Sequence, residues 1–463
     1  MTPGGSGAPA GELAIVLHTH MPYVEGYGTW PFGEEWLWEA VATSYLPLLE
    51  VLEPGGPVTL SVTPVLADQL AAPGVGERMA RFLGEVRSGT HAEDIAVATE
   101  PGVAAELERS SEDYAQAVRR LDALGPGGLL GALAPRAAWT SSATHAVLPL
   151  LATDAGLRLQ LEAGVAAHRA YGLPWRGGFW LPECGYEPGL DRHLAEAGAR
   201  TCCVDLTDVL GRGSPQQLQP IATREGPLLF PIDRELIEAL WSADGYPSAA
   251  AYRNYHGLTS NHHRAWSNDG QVYDRKRAAA RARTDAADFV ARAARRVARG
   301  GLAVCALDTE LLGHWWFEGP AWLAAVLEEA ERAGLRITHL DDASERHEAV
   351  AADSLPALGV TTWGTPRDLS TWSGPQVADL AFAARRAELD VLAGAPSAAA
   401  VRELLALQSS DWAFLASGPL APSYGRERAD LHRRGVEQAL GGISSAAPRH
   451  LAVHASPATL LAP

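Results

Sequence analysis

LAVCALDTE, residues 302–310, is the stretch on which the fold turns. Its apolar residues run unbroken from Leu302 to Leu307 and stop on Asp308 and Glu310. A run this short, apolar on both faces and ending in charge, reads as a buried parallel strand rather than a helix. On a strand, positions two apart share a face, so Asp308 and Glu310 point the same way. The same grammar recurs in LAIVLHTH (13–20), VTLSVTP (58–64), GGFWLPE (177–183), TCCVDLTD (201–208) and LRITHLDD (335–342). Stretches with helical spacing of apolar residues separate many of them, notably 102–124 and 284–300. Strand, polar tip, helix, strand is the pattern of a parallel α/β fold, in which ligands sit beyond the C-terminal strand ends. Polar residues end several separate strands, which favours a closed barrel over an open sheet. No glycine-rich phosphate loop follows any of these strands, against a nucleotide fold.

Working outward, the barrel pattern fills residues 11–374, with a small insertion expected around 188–230, whose part 209–230 is rich in Gly, Pro and Gln. From Pro375 the pattern turns purely helical, predicting a C-terminal helical domain over 375–450. Residues 1–10 and 451–463 read as flexible tails, and no internal repeat is visible. With 463 residues, 47% of them hydrophobic, the chain has ample material for a large core. Its 55 acidic against 38 basic side chains give a net charge of −17, which argues against nucleic acid as a partner and suits a neutral substrate. The N-terminus lacks the basic and apolar parts of a secretory signal. No apolar run reaches the roughly 18 residues of a membrane span. Cys184, Cys202, Cys203 and Cys305 form no CxxC pair, so buried thiols in a reducing cytoplasm are expected. Fourteen tryptophans against eight phenylalanines hint at sugar stacking, although large folds also use Trp as plain core.

Three motifs can carry chemistry. LHTH places His18 and His20 on one face of a strand end, where they could bind a metal with help from Asp308, His145 or Asp205, or hydrogen-bond a substrate. GFWLPECGY sets Glu183 among apolar and aromatic neighbours, where a carboxylate needs a partner or a purpose. DTELLGHWWFEGP follows Asp308 and Glu310 with His314 and two tryptophans. One carboxylate from each of two strands, beside aromatic platforms, is what glycosidic chemistry requires: one attacks the anomeric carbon while the other protonates the leaving oxygen.

These segments, with GTWPFGEEW, TSSATHAVLPLL, TTWGTPRDLSTW and QSSDWAF, make the chain similar to glycoside hydrolase family 57, and within it to the members that branch α-glucans. The resemblance spans nearly the whole chain. It implies a distorted (β/α)7 barrel with a small insertion and a C-terminal helical domain that helps close the site. It further implies a retaining mechanism with Glu183 as nucleophile and Asp308 as general acid/base, and neither metal nor cofactor. His18, His20, His145, Glu310 and His314 would be polar neighbours of the substrate. Trp30, Trp36, Trp363 and Trp372 would line a glucan cleft, core packing being the alternative for Trp363 and Trp372. Arg253, Gly270 and Asp411 carry over as substrate contacts, and Tyr246 as a gate. Ala137 stands near where relatives usually carry a Glu, and Thr365–Leu369 replaces a commonly glycine-rich segment; both bear on acceptor specificity. The expected partner is an α-glucan, with hydrolysis or 4-α-glucan transfer as alternatives. A metal-dependent hydrolase and a catalytically silent glucan binder remain as rivals, and the sequence carries no sign of oligomeric state.

Overall fold

The computed structural model describes residues 11–27, 32–125, 127–394, 396–418, 421–443 and 449–461. Seven parallel strands carry the barrel: β1 (Glu12–Thr19), β2 (Thr59–Val62), β3 (Ala137–Ser141), β4 (Gly178–Trp180), β5 (Thr201–Val204), β6 (Leu228–Pro231) and β7 (Leu302–Asp308). They neighbour one another in the order β6-β5-β4-β3-β2-β1-β7. Every residue of β1 is buried, as its unbroken apolar run demands. The ring closes beyond β6, where the Asp233 amide donates to the Val304 carbonyl of β7 at 2.7 Å. Asp233 also caps the helix Arg234–Trp241, accepting from the Glu235 and Leu236 amides. Strand register sets the site: His18 on β1 lies level with Ser61 on one side and Asp308 on the other.

The expected insertion is corrected. Within 188–230, β5 and β6 are strands of the barrel itself, and Ile221–Ala222 pairs antiparallel with β6. LLFP is a fully apolar four-residue strand whose Gly- and Pro-rich flanks disguise it. The long excursions lie elsewhere. One follows β2 and includes α1 (Pro101–Ala123); another follows β6 and includes α3 (Arg275–Arg296). Between them, α2 (Asp154–Ala170) follows β3; after both, α4 (Gly319–Ala333) follows β7. LRITHLDD, read as a strand with a polar tip, forms only the two-residue edge strand Arg336–Ile337 beside β1. His339 then caps a short helix and ends it.

Four helices build the C-terminal region: α5 (Ala378–Ala393), α6 (Ala398–Leu407), α7 (Ser410–Ser417) and α8 (Pro422–Leu440). They share an apolar core with barrel residues Tyr23, Val65 and Leu159. The buried Glu388 carboxylate fastens the two parts, accepting from the Ala152 amide at 3.0 Å, Thr153 at 2.5 Å and Gln408 at 2.9 Å. The tail expected from 451 is docked instead, because its leucines have an apolar surface to cover. Leu451 and Leu460 are buried, and Thr459 donates to Glu162 of α2 at 3.0 Å. Among the described residues, no helix is long and apolar enough to cross a membrane.

Candidate active site

At the C-terminal mouth of the barrel, Glu183 and Asp308 end β4 and β7 as partly buried side chains. Pro182 stops β4 and starts a tight turn in which Glu183 adopts φ 61°, in the left-handed region that costs a non-glycine residue about 1–2 kcal/mol. Backbone held there against such a cost is concentrated at functional sites. The Glu183 carbonyl accepts from the Trp363 amide at 2.9 Å, which keeps the turn in place.

Two donors hold the Glu183 carboxylate. Trp363 Nε1 donates to Oε2 at 3.0 Å, and Ser410 Oγ donates to Oε1 at 3.0 Å. Burial pushes the Glu183 pKa up, while these two hydrogen bonds pull against it. Asp308 has a different setting. Among the described residues no donor reaches its carboxyl, and burial, then the charges of Glu310 and Glu183, push its pKa well above the usual range. Glu310 sits one shell further in, accepting from Tyr45 Oη at 2.5 Å and the His20 amide at 3.1 Å, and burial carries its pKa to about 7.

Three histidines stack beneath these carboxylates. His18 lies on Trp180 with ring centroids 4.4 Å apart, and His20 on His145 at 3.9 Å. Burial drives His18 and His145 well below the ordinary histidine range, so both are neutral. A relay of hydrogen bonds fixes their tautomers. With Glu183 ionised, the Ser410 hydroxyl donates to it and must accept from His145 Nδ1–H at 2.8 Å. His145 Nε2 then accepts from His18 Nε2–H at 2.9 Å, leaving His18 Nδ1 to accept from Ser61 at 3.4 Å. His20 is the exception. Burial opposes its charge, but the Asp411 carboxylate 2.9 Å away prevails and raises its pKa. His20, His145 and Asp411 also place one ligand atom each within 4.8 Å of one another, a spacing that could hold a metal ion. In this arrangement those atoms are engaged with one another, with Ser410 and with His18.

Comparison with known proteins follows the same lines. Residues 138–356 match the model of glycosyl hydrolase family 57, and residues 380–452 match that of the 1,4-alpha-glucan branching enzyme C-terminal region. A probable 1,4-alpha-glucan branching enzyme of Mycobacterium tuberculosis is 31% identical over 94% of this chain and 93% of its own length. The chain belongs to glycoside hydrolase family 57. A 1,4-alpha-glucan branching enzyme of Thermococcus kodakarensis is also 31% identical, over 92% of this chain and 72% of that protein. The crystal structure of the family 57 branching enzyme of Pyrococcus horikoshii superposes with a TM-score of 0.84 at 28% identity, covering 91% of this chain and 88% of that one.

Not every residue that the family resemblance suggested sits at the mouth. Trp363 does, edge-on to Trp180 with centroids 5.1 Å apart. Trp36 is partly buried beside Phe32, and Trp30 lies outside the described residues. Trp372 is buried in an apolar cluster with Val147, Val377 and Ala413, where barrel and helical region meet. The Tyr246 hydroxyl donates to Asp288 of α3 at 2.7 Å, on the outer helical layer. Arg253 is buried between Phe317 and Tyr273 and donates to Glu106 at 2.6 Å, while Gly270 shapes an exposed turn at φ 79°. His314 is buried, its pKa brought down to about 3 by burial and by Arg264. Ala137 sits at the start of β3, the end of the strand away from the carboxylates. In the Thr365–Leu369 segment, Arg367 pairs with Asp208 at 2.6 Å beside the Trp363 loop. Ser410 went unnoticed in the sequence, because a serine before QSSDW's Asp411 carries no signal of its own.

Proposed function

We propose that this protein is a retaining α-glucan transferase that cleaves α-1,4 linkages and builds α-1,6 branches. The observation behind the reading is the unequal treatment of two neighbouring carboxyls: Glu183 has donors that favour its ionised form, and Asp308 has none among the described residues and keeps its proton. In the first step Glu183 attacks C1 of a glucose unit, and the C1–O4 bond breaks as Asp308 gives its proton to the departing O4. A glucosyl ester forms on Glu183, and Asp308 is left ionised. In the second step Asp308 takes the proton of an acceptor 6-hydroxyl, whose oxygen attacks C1 and releases Glu183. Water in the acceptor's place would give hydrolysis, so the balance depends on how well the mouth favours sugar over water. Trp363 and the α7 residues Ser410 and Asp411 border that mouth. The related proteins called branching enzymes support an α-glucan such as amylose or a glycogen-like polymer as substrate. Four free, buried cysteines fit a reducing compartment such as the cytoplasm.

Amylose is the deciding substrate. Branching lowers iodine absorbance with little new reducing sugar, and debranching the product releases short linear chains. Reducing ends that rise in step with iodine loss would replace this reading with hydrolysis; redistribution of linear chains without branches would indicate 4-α-glucan transfer. The His20, His145 and Asp411 cluster favours a second reading, a metal-dependent hydrolase. Full activity after exhaustive chelation removes it.

A further inference from the structure

A cavity of about 430 Å3 opens beside the barrel. It lies between α1, the helix Leu46–Val51, the loop containing His263 and Arg264, and the start of α4. None of the residues that hold Glu183 or Asp308 lines it. Its size is within the range of pockets for small metabolites.

The charge in this cavity runs against the rest of the molecule. Arg87, Arg120, Arg253 and Arg264 line it against Glu39, Glu50 and Asp113, in a chain of net charge −17. Most of these cations are spoken for: Arg87 pairs with Glu39 at 2.8 Å, Arg253 with Glu106 at 2.6 Å, and Arg120 with Glu50. Arg264 is not. It is partly buried, its guanidinium over the Tyr255 ring at 4.2 Å, and among the described residues its hydrogen bond runs from Nη1 to the His314 carbonyl at a long 3.4 Å. Its Nε is enclosed with no acceptor, as is that of Arg253, and among the described residues no carboxylate lies within ion-pair distance of Arg264, the Glu39 charge acting on it from further off. A guanidinium partly withdrawn from water is usually held in a close ion pair, and Arg264 lacks one.

We propose that this cavity binds a small phosphate monoester, whose phosphate takes the free guanidinium of Arg264. The fork of an arginine matches an oxyanion with two parallel N–H donors. A phosphate presents three acceptor oxygens in different directions, which suits a wall lined by four arginines; a planar carboxylate serves one fork. A bare phosphate leaves much of the cavity unfilled, whereas the organic part of an ester can lie along Phe317 and Pro320.

Calorimetric titration of the full chain with glucose 6-phosphate, inorganic phosphate, gluconate and glucose tests this. Glucose 6-phosphate should bind, and Arg264→Gln should weaken it about tenfold or more, the effect of losing a charge-assisted contact. Inorganic phosphate should bind more weakly with the same dependence on Arg264, and any glucose signal should be unchanged in the variant. Retained glucan remodelling reports that Arg264→Gln is folded; if it is not, Arg264→Lys, which keeps the charge but loses the fork, should show a smaller loss by the same titration. Glucose 6-phosphate binding unaltered in both variants, gluconate binding as tightly as the phosphate ester, or no binding of either phosphate would overturn the proposal.

Discussion

Glu183 and Asp308 end two strands of one barrel at similar depth, yet the protein treats them in opposite ways. The Glu183 turn is braced from three sides, with Trp363 and Ser410 on its oxygens and the Trp363 amide on its carbonyl. Asp308 faces the charges of Glu310 and Glu183 and receives no donor among the described residues. Burial raises both pKa values, so burial alone does not distinguish them; the number of donors does.

Removing either carboxylate function breaks the comparison outright. Glu183→Gln and Asp308→Asn should each lower kcat on amylose by about 10⁴-fold, the scale of losing a nucleophile or general acid, with both variants folded by circular dichroism. Asp411→Asn leaves the partly buried His20 without its counter-charge and should destabilise the fold by about 3 kcal/mol near pH 5. His20 has its pKa raised, so its share of that stability is full below 6.5 and fades as pH rises through the folded value. Asp411 has its pKa lowered, so its share holds above 3.8 and fades as pH falls through the folded value. Wild type and variant should therefore differ most in Tm between about pH 4 and 6.5, and a pH-independent difference would contradict this.

Ser410→Ala sharpens the comparison by making Glu183 more like Asp308. It should cost about 10- to 100-fold in kcat with KM little changed. The acidic limb of the pH–rate profile should move to higher pH, because the lost hydrogen bond had favoured the ionised carboxylate. Ser410→Thr, which restores a hydroxyl, should recover most of both. Trp363→Phe keeps a ring but removes the Nε1 donor; about a tenfold loss with the same direction of pH shift is expected. An unchanged pH profile in both variants would show that these donors position Glu183 without tuning it.

The strand ends were legible in the sequence because a chain that buries apolar strands and stops them on His18, His20 or Asp308 leaves little else for those residues to do. The helical region was legible for a similar reason, since its periodicity is local. What stayed hidden depends on contacts between distant segments. Ser410 lies 227 residues from Glu183, and its role as a donor follows from how α7 docks on the barrel. Trp372 and Arg253 look in sequence like Trp363, aromatic or charged residues in motifs, and only packing assigns one to an apolar interface and the other to a buried ion pair. The strand β6 was lost among glycines and prolines because four residues carry too little pattern to stand out.

The docking of α7 also has a consequence for synthesis. A nascent chain that has already delivered Glu183 and Asp308 from the ribosome still lacks Ser410 and Asp411, and with them a donor to Glu183 and the partner of His20. The helical region therefore completes the surroundings of Glu183 and His20 that the barrel begins.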